Sequence, residues 1–298
     1  MRPTLRRHPH LRLRVVSGLA LVLASIPSPS SGDVGPVHMY GLLLAVGVLV
    51  ATFVGERRWR NRGYPRDGIY DLAFWVVIAG VVGARVYHVI TDYQLFEDDP
   101  LKALQIWKGG LSIWGAVIGG AIAVVVLTRK RKMDTLAVVD CMAPGIVLAQ
   151  GIGRWGNWFN QELFGKPTTL PWGLEISLEN RPFGYEQFAT FHPTFLYESL
   201  WCLAIFGALL LAERRSPLRT GQTFALYVAL YTLARFWFEN LRIDPAHEIG
   251  PLRVNAWVSL LLFLASVAWF LWLGRHEPRQ RRPGEAAAEP AQPQPTVS

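Results

Sequence analysis

Seven apolar stretches, each about as long as a helix that crosses a bilayer, divide this chain, and they leave it few folds to adopt. They run from Val37 to Gly55, Ile69 to Ile90, Leu111 to Thr128, Leu136 to Ile152, Phe195 to Ala212, Thr223 to Leu241 and Val254 to Gly274. In hydrocarbon every backbone N–H and C=O must be satisfied internally, so such stretches predict helices. The hydrophobic share of 51% and the 12 tryptophans agree with that reading and disagree with an ordinary soluble domain. The expected fold is all-α: a polytopic integral membrane protein of about seven transmembrane helices with a short external arm.

The connecting segments set an expected orientation, because Lys and Arg are retained on the cytoplasmic side. Arg57, Arg58, Arg60, Arg62 and Arg66 follow the first stretch, Arg129 to Lys132 the third, Arg214, Arg215 and Arg219 the fifth, and Arg275, Arg279, Arg281 and Arg282 the last. The segment after the second stretch is acidic, with Asp92, Glu97, Asp98 and Asp99. This alternation predicts that the first helix starts outside and that the C-terminus lies inside. The net charge of +8 therefore belongs to short runs between apolar stretches, not to a basic face, and nucleic-acid binding is not expected. Cys141 and Cys202 both sit inside apolar stretches, so neither a disulfide framework nor a metal site is predicted, and no cofactor is implied.

Three regions are expected. Residues 1–30 form a basic N-terminal extension, interfacial or signal-like, with Arg2, Arg6, Arg7, Arg12 and Arg14 before a short apolar run. Residues 31–275 form the transmembrane domain. Residues 276–298, rich in Ala, Pro, Glu and Gln, read as a disordered cytoplasmic tail.

Charges at membrane depth are costly and invite a functional reading. Arg85 and His88 lie in the second stretch, Asp140 in the fourth, Glu198 in the fifth, and Arg235 with Glu239 in the sixth. For Arg85, His88 and Asp140, internal pairing and function are equally open. The sixth stretch says more, because Tyr231, Arg235, Glu239 and Arg242 recur at spacings of four, four and three and so share one helix face. Such a face needs a polar cavity or charged neighbours.

The densest polar constellation follows the fourth stretch, from Gly153 to Gly165. Arg154, Asn157, Asn160 and Glu162 bring donors and an acceptor there, and Trp155, Trp158 and Phe159 suit headgroup depth. An aromatic belt and a headgroup site are both consistent with this composition.

This stretch resembles the signature of the prolipoprotein diacylglyceryl transferases, in the arrangement Gly-Arg-x-Gly-Asn-x-x-Asn-x-Glu-x-x-Gly. The resemblance extends to His192, Pro193 and Thr194 leading into Leu196, Tyr197 and Glu198, to Tyr231, Arg235, Phe236, Glu239 and Arg242, to Tyr40 and Gly41, and to Gly109, Gly110 and Leu111. It spans roughly Ile26 to Gly274 and neither terminal extension.

What the resemblance implies is a multi-pass enzyme of the bacterial cytoplasmic membrane with its active site toward the outer face. Its partners would be phosphatidylglycerol, the bilayer, and a prolipoprotein signal peptide bearing a lipobox cysteine. The diacylglyceryl group would pass to that cysteine and glycerol 1-phosphate would leave. Arg154, Arg235, Glu239 and His192 are the implied catalytic residues. Tyr40, Asn157, Asn160, Glu162, Gly165, Tyr231 and Arg242 are the implied substrate-binding residues. A planar guanidinium suits phosphate oxygens, which favours Arg154 and Arg235 as a pair converging on the headgroup. The chain departs from the family at Trp114, where many members carry a histidine; tryptophan cannot accept a proton, so the base is open among His192, Glu162 and activation of the thiol by arginines. A transporter and a non-catalytic lipid-binding scaffold are the rival readings, though the polar groups gather toward one interface instead of repeating at mid-depth.

Overall fold

The computed structural model describes residues 25–35, 37–97, 99–106, 109–216, 218–246 and 248–280. Most of the N-terminal extension and residues 281–298 of the expected tail lie outside the described residues. Within them are seven long helices: α1 Met39–Asn61, α2 Gly68–Thr91, α3 Ile113–Lys130, α4 Thr135–Asn160, α5 Thr194–Arg215, α6 Gln222–Leu241 and α7 Val254–His276. Each coincides with one of the apolar stretches. All but α6 are long and apolar enough to cross a membrane. α6 falls short because it carries the polar face described above. The outer surfaces of α2 and α3 are dressed with Phe74, Val82, Ile90, Ile113, Val117 and Ile122, all exposed, an apolar surface that suits acyl chains and not water. The chain is thus an all-α, multi-pass membrane protein.

Two helices run on well past their apolar stretches. α1 continues from Gly55 to Asn61, and α4 continues through Asn160, so Gly153 to Asn160 are its last turns. Glycine weakens a helix only mildly. Here the glycines serve as places of close approach.

The chain divides into two compact units, and five of the seven helices contribute a segment to each. One unit comprises Val48–Ala149, Ile205–Ala229 and Leu264–Ser298 and contains all of α2 and α3. These two helices run antiparallel and meet backbone to backbone: a Cβ on Gly83 would lie 2.5 Å from the Gly115 carbonyl, and one on Gly119 2.5 Å from that of Ala79. Where lipid is as apolar as leucine, small residues that let backbones touch supply the dispersion contact that holds helices together. Trp59, Ile69, Leu72, Ala137, Val138 and Cys141 form a buried core beside them, with Tyr64 stacked on Trp59.

This unit also accounts for the charges left open above. Arg85 donates from Nε to the Ala103 carbonyl (2.8 Å) and from Nη1 to that of Gly109 (2.8 Å), and its plane faces Phe96, so it holds the connection between α2 and α3 in place. His88 pairs with Asp92 at 2.9 Å. Asp140, fully buried, accepts from the backbone N–H of Gly221 (2.5 Å) and Phe224 (2.8 Å) and from Gln280 Nε2 (2.7 Å), so it caps the start of α6. Arg58 and Arg62 pair with Glu213 at 2.6 and 2.9 Å.

The other unit comprises Met1–Gly47, Gln150–Ala204 and Leu230–Phe263. It holds three two-stranded antiparallel pairs: β1 Asp33–Val34 with β2 Val37–His38, β3 Leu174–Glu175 with β4 Thr190–Phe191, and β5 Glu248–Ile249 with β6 Leu252–Arg253. The segment between α4 and α5 folds around Phe164, Leu174, Ile176, Phe191 and Phe195. Ile26 adds a parallel bridge to Leu174, and the Pro27 and Pro29 carbonyls accept from Trp158 Nε1 (3.0 Å) and Gln161 Nε2 (2.7 Å). The described end of the N-terminal extension is therefore stitched to the arm.

Because the glycine contact leaves no room for a side chain, Gly119→Val overpacks α2 against α3 and lowers stability by about 1 to 3 kcal/mol. Gly207→Ala on α5, where a Cβ meets nothing within 4 Å, is neutral or slightly stabilising. Thermal unfolding of the two purified variants in one detergent separates these outcomes.

Candidate active site

Close approach of α4 and α5 builds the site. Ser199 Oγ donates to the Gly151 carbonyl at 2.8 Å, and a Cβ on Gly151 would lie 3.1 Å from that of Cys202. With the helices this near, Arg154, one turn beyond Gly151, meets Glu198: Nη2 lies 2.8 Å from Oε2. α6 joins through Trp201 Nε1, which donates to the Leu230 carbonyl at 3.0 Å. The shared face predicted for α6 is then turned to these groups. Tyr231 OH lies 3.3 Å from Arg154 Nη2, and Arg235 Nη1 lies 3.7 Å from the same Glu198 oxygen that Arg154 holds.

The network continues along α6. Glu239, fully buried, has Oε2 2.7 Å from Arg235 Nη2 and 3.6 Å from Arg242 Nη1, and Oε1 3.2 Å from Arg253 Nη1 and 3.3 Å from Asn255 Nδ2. Arg242 grips Asp244 with two bonds, at 2.7 and 2.9 Å, and Arg253 Nη2 reaches the same carboxylate at 3.1 Å. Burial opposes ionisation of Asp244, but the hydrogen bonds and charge of Arg242, and then those of Arg253, outweigh it and hold the carboxyl below the usual aspartate range. The network alternates in sign. Four guanidiniums (Arg154, Arg235, Arg242 and Arg253) face three carboxylates (Glu198, Glu239 and Asp244), which leaves one net positive charge. Arg235 Nη1 is buried and makes no hydrogen bond, since Glu198 is too far for one. Glu239 Oε2, at ion-pair distance from Arg235 Nη2, is likewise buried without a hydrogen bond, so the pair is held by charge more than by hydrogen-bond geometry.

A second cluster sits at the end of α4. Glu162 Oε1 accepts from Asn157 Nδ2 (2.9 Å) and from Asn160 Nδ2 (3.1 Å). The chain leaves the helix through Gln161 and Leu163, both at positive φ (51° and 58°), which non-glycine residues adopt only when held. Gln161 is held by its amide, which donates to the Pro29 carbonyl and accepts from the backbone N–H (2.8 Å) and hydroxyl (2.8 Å) of Ser177, and Leu163 by its carbonyl, which accepts from Thr194 Oγ1 at 2.6 Å. Tyr40 packs against Gly156, where a Cβ would overlap its ring, so only a glycine admits the phenol there.

Gly165 and His192 hold the arm. Gly165 N–H donates to the His192 carbonyl at 3.0 Å and Lys166 N–H to that of Leu241 at 3.0 Å, and a Cβ on Gly165 would lie 2.9 Å from that of His192. The His192 ring meets Tyr197 OH at 3.2 Å, and burial lowers its pKa, so it is neutral near pH 7. It makes no contact with the arginine network among the described residues. Trp114, on α3, is exposed and belongs to the other unit.

The structure thus joins Arg154, Tyr231, Arg235, Glu239 and Arg242 in one network and Asn157, Asn160 and Glu162 in another. Sequence reasoning left Glu198, Asp244, Arg253 and Asn255 out of the site. Glu198 carried a signal, as a charge at membrane depth within the Leu-Tyr-Glu run. The others carried none, being ordinary loop and helix-start residues until the fold brings them to Glu239.

Six helices long and apolar enough to cross a membrane, with a buried network of arginines and carboxylates that keeps one net positive charge, define a multi-pass membrane protein with a charged interior site. The family model described as prolipoprotein diacylglyceryl transferase matches residues 31–272, and the chain belongs to that family. It is 50% identical over 253 residues to phosphatidylglycerol–prolipoprotein diacylglyceryl transferase 2 of Streptomyces coelicolor, covering 83% of this chain and 80% of that protein. It is 47% identical over 277 residues to the Cutibacterium acnes phosphatidylglycerol–prolipoprotein diacylglyceryl transferase, covering 91% and 93%. To that of Paenarthrobacter aurescens it is 46% identical over 278 residues, covering 88% and 87%.

Glu239→Gln leaves Arg235, Arg242 and Arg253 facing a neutral amide and lowers stability by about 3 to 5 kcal/mol, read from denaturant unfolding in detergent. Asp244 gives a pH signature. Its folded pKa is depressed, so its stabilisation is complete above about pH 4 and is lost as pH falls through the lowered value. Asp244→Asn has a lower thermal midpoint than the parent at neutral pH, and the gap closes in acid.

Proposed function

We propose that this chain transfers the diacylglyceryl group of phosphatidylglycerol to the thiol of a lipobox cysteine in a prolipoprotein signal peptide, releasing glycerol 1-phosphate. Family membership and the names of the relatives support the reaction class. The observation that carries the site assignment is the placement of Arg154 and Arg235 on one oxygen of Glu198, which holds two guanidiniums within reach of a single anion.

In this reading the phosphate of phosphatidylglycerol accepts from Arg235 Nη1 and from the outer edge of Arg154. The cysteine sulfur attacks the diacylglyceryl carbon that bears the phosphoester oxygen. The new C–S bond forms as the C–O bond breaks, and glycerol 1-phosphate departs with the bonding electron pair. Charge grows on the leaving phosphate as it separates, and preorganised guanidiniums stabilise it most at that stage. Tyr40, Asn157, Asn160, Glu162 and Gly165 shape the glycerol and headgroup pocket; Glu239, Tyr231 and Arg242 orient the two arginines. The same positive field lowers the thiol's pKa, and His192, kept neutral by burial, takes its proton. The arm between α4 and α5 meets the precursor. The basic segments lie in the cytoplasm with the C-terminus, and the site faces the outer leaflet.

The purified chain, incubated with phosphatidylglycerol and a lipobox peptide, yields a diacylglyceryl thioether on cysteine detectable by mass spectrometry. Arg154→Ala and Arg235→Ala proteins that remain folded lose about 100-fold or more in kcat. Near-normal turnover in either contradicts the assignment. His192→Ala loses rate and the acid limb of the pH profile. A parent-like profile instead assigns this histidine to holding the arm.

A further inference from the structure

A second concentration of arginines lies in the other unit, in a cavity of about 450 Å³ where Arg57, Arg60 and Arg66 share the lining with Glu56, Asn61 and the rings of Phe53, Tyr64 and Tyr70. We infer that this cavity binds the phosphate of an anionic phospholipid from the surrounding leaflet, at a site separate from the reaction.

Basic residues at the end of a membrane helix need no cavity to set topology. What sets this group apart is how its charges are disposed. On the same helix, Arg58 and Arg62 are turned inward and both pair with Glu213. Among the described residues Arg57, Arg60 and Arg66 have no carboxylate at ion-pair distance. The acid in the cavity wall does not offset them either. Glu56 is buried, and its two oxygens accept from the backbone N–H of Asp67 (2.8 Å) and Ile69 (3.1 Å), so its charge is committed to the start of α2. Three guanidiniums against that one carboxylate leave the lining at +2.

The other walls indicate what the anion is attached to. Phe53, one turn before Arg57 on α1, and Tyr70, in the first turn of α2, are both exposed and join the apolar outer surface of two membrane-crossing helices. A phosphodiester on the guanidiniums places its acyl chains along these rings. Asn61 and Tyr64 supply polar groups for the headgroup beyond it, and a free phosphate makes no use of the aromatic side.

Arginine modification by phenylglyoxal tests this on the unaltered full chain, read peptide by peptide by mass spectrometry. The chain is reconstituted in nanodiscs of phosphatidylcholine alone, phosphatidylcholine with phosphatidylglycerol, or phosphatidylcholine with millimolar inorganic phosphate outside. Arg129, exposed at the end of α3, is the internal reference. Phosphatidylglycerol is expected to slow modification of Arg57, Arg60 and Arg66 by about fivefold or more, while Arg129 changes by less than about twofold and inorganic phosphate protects weakly. Equal slowing at Arg129 overturns the proposal in favour of a diffuse surface field. Protection by inorganic phosphate as strong as by the lipid overturns the lipid assignment, and no protection in either arm overturns the site.

Discussion

Everything at the polar centre of this protein depends on one carboxylate, Glu198, held by α5 between an arginine of α4 and an arginine of α6. An isolated guanidinium inside a membrane protein is expensive, and two side by side are more so. Glu198 makes the pair tolerable. It does so without satisfying it: Arg235 Nη1 stays outside hydrogen-bonding distance, and the wider network retains one unit of positive charge. In the proposed reaction, a fully neutralised site would have no reason to bind phosphate. A site with no internal carboxylate would not hold its arginines in place between turnovers. The balance between these is struck by Glu198 and, one turn further along α6, by Glu239, whose oxygens are shared among three arginines.

That arrangement is only reachable because backbones come close. Gly151 lets α5 approach α4 so that Arg154 meets Glu198, Gly156 admits the ring of Tyr40, and Gly165 lets the arm lie against His192 and Leu241. The signature between Gly153 and Gly165 therefore combines two functions in one stretch. Its polar residues carry the proposed chemistry, and its glycines supply the distances. The arm extends the same logic beyond the helix, since two non-glycine residues at positive φ are anchored there, Gln161 by its amide's bonds to the N-terminal segment and Ser177, and Leu163 by the hydroxyl of Thr194.

The helices were legible because hydrocarbon permits so little else: seven apolar stretches became seven helices, with α6 set apart by its charges. The face on α6 was legible for a similar reason, since spacing along a helix fixes direction without knowledge of neighbours. Contacts between distant segments were not. Nothing in the sequence around Arg253 or Asp244 distinguishes them from other loop charges, and only the fold shows that they close the network around Glu239. Arg85 and Asp140 illustrate the converse. Their depth left pairing and function equally open, and both are engaged by backbone groups, one by the carbonyls after α2 and the other by the N–H groups that open α6. The apolar stretch stops at Ile152 while α4 runs on to Asn160, because polarity marks where hydrocarbon ends and not where a helix ends, and close contacts at Gly151 and Gly156 offset their poor helix propensity.

The central claim is that two guanidiniums act on one anion as a unit, and a double-mutant cycle on Arg154→Lys and Arg235→Lys tests it most directly. Lysine keeps the charge and removes the planar fork. Measured as kcat/KM with phosphatidylglycerol and a lipobox peptide, each single replacement should cost a large factor, and the double should cost little more than the worse single, because losing either arm of the clamp already frees the phosphate. Losses that multiply would mean that the two arginines act on separate groups, and that would contradict the account.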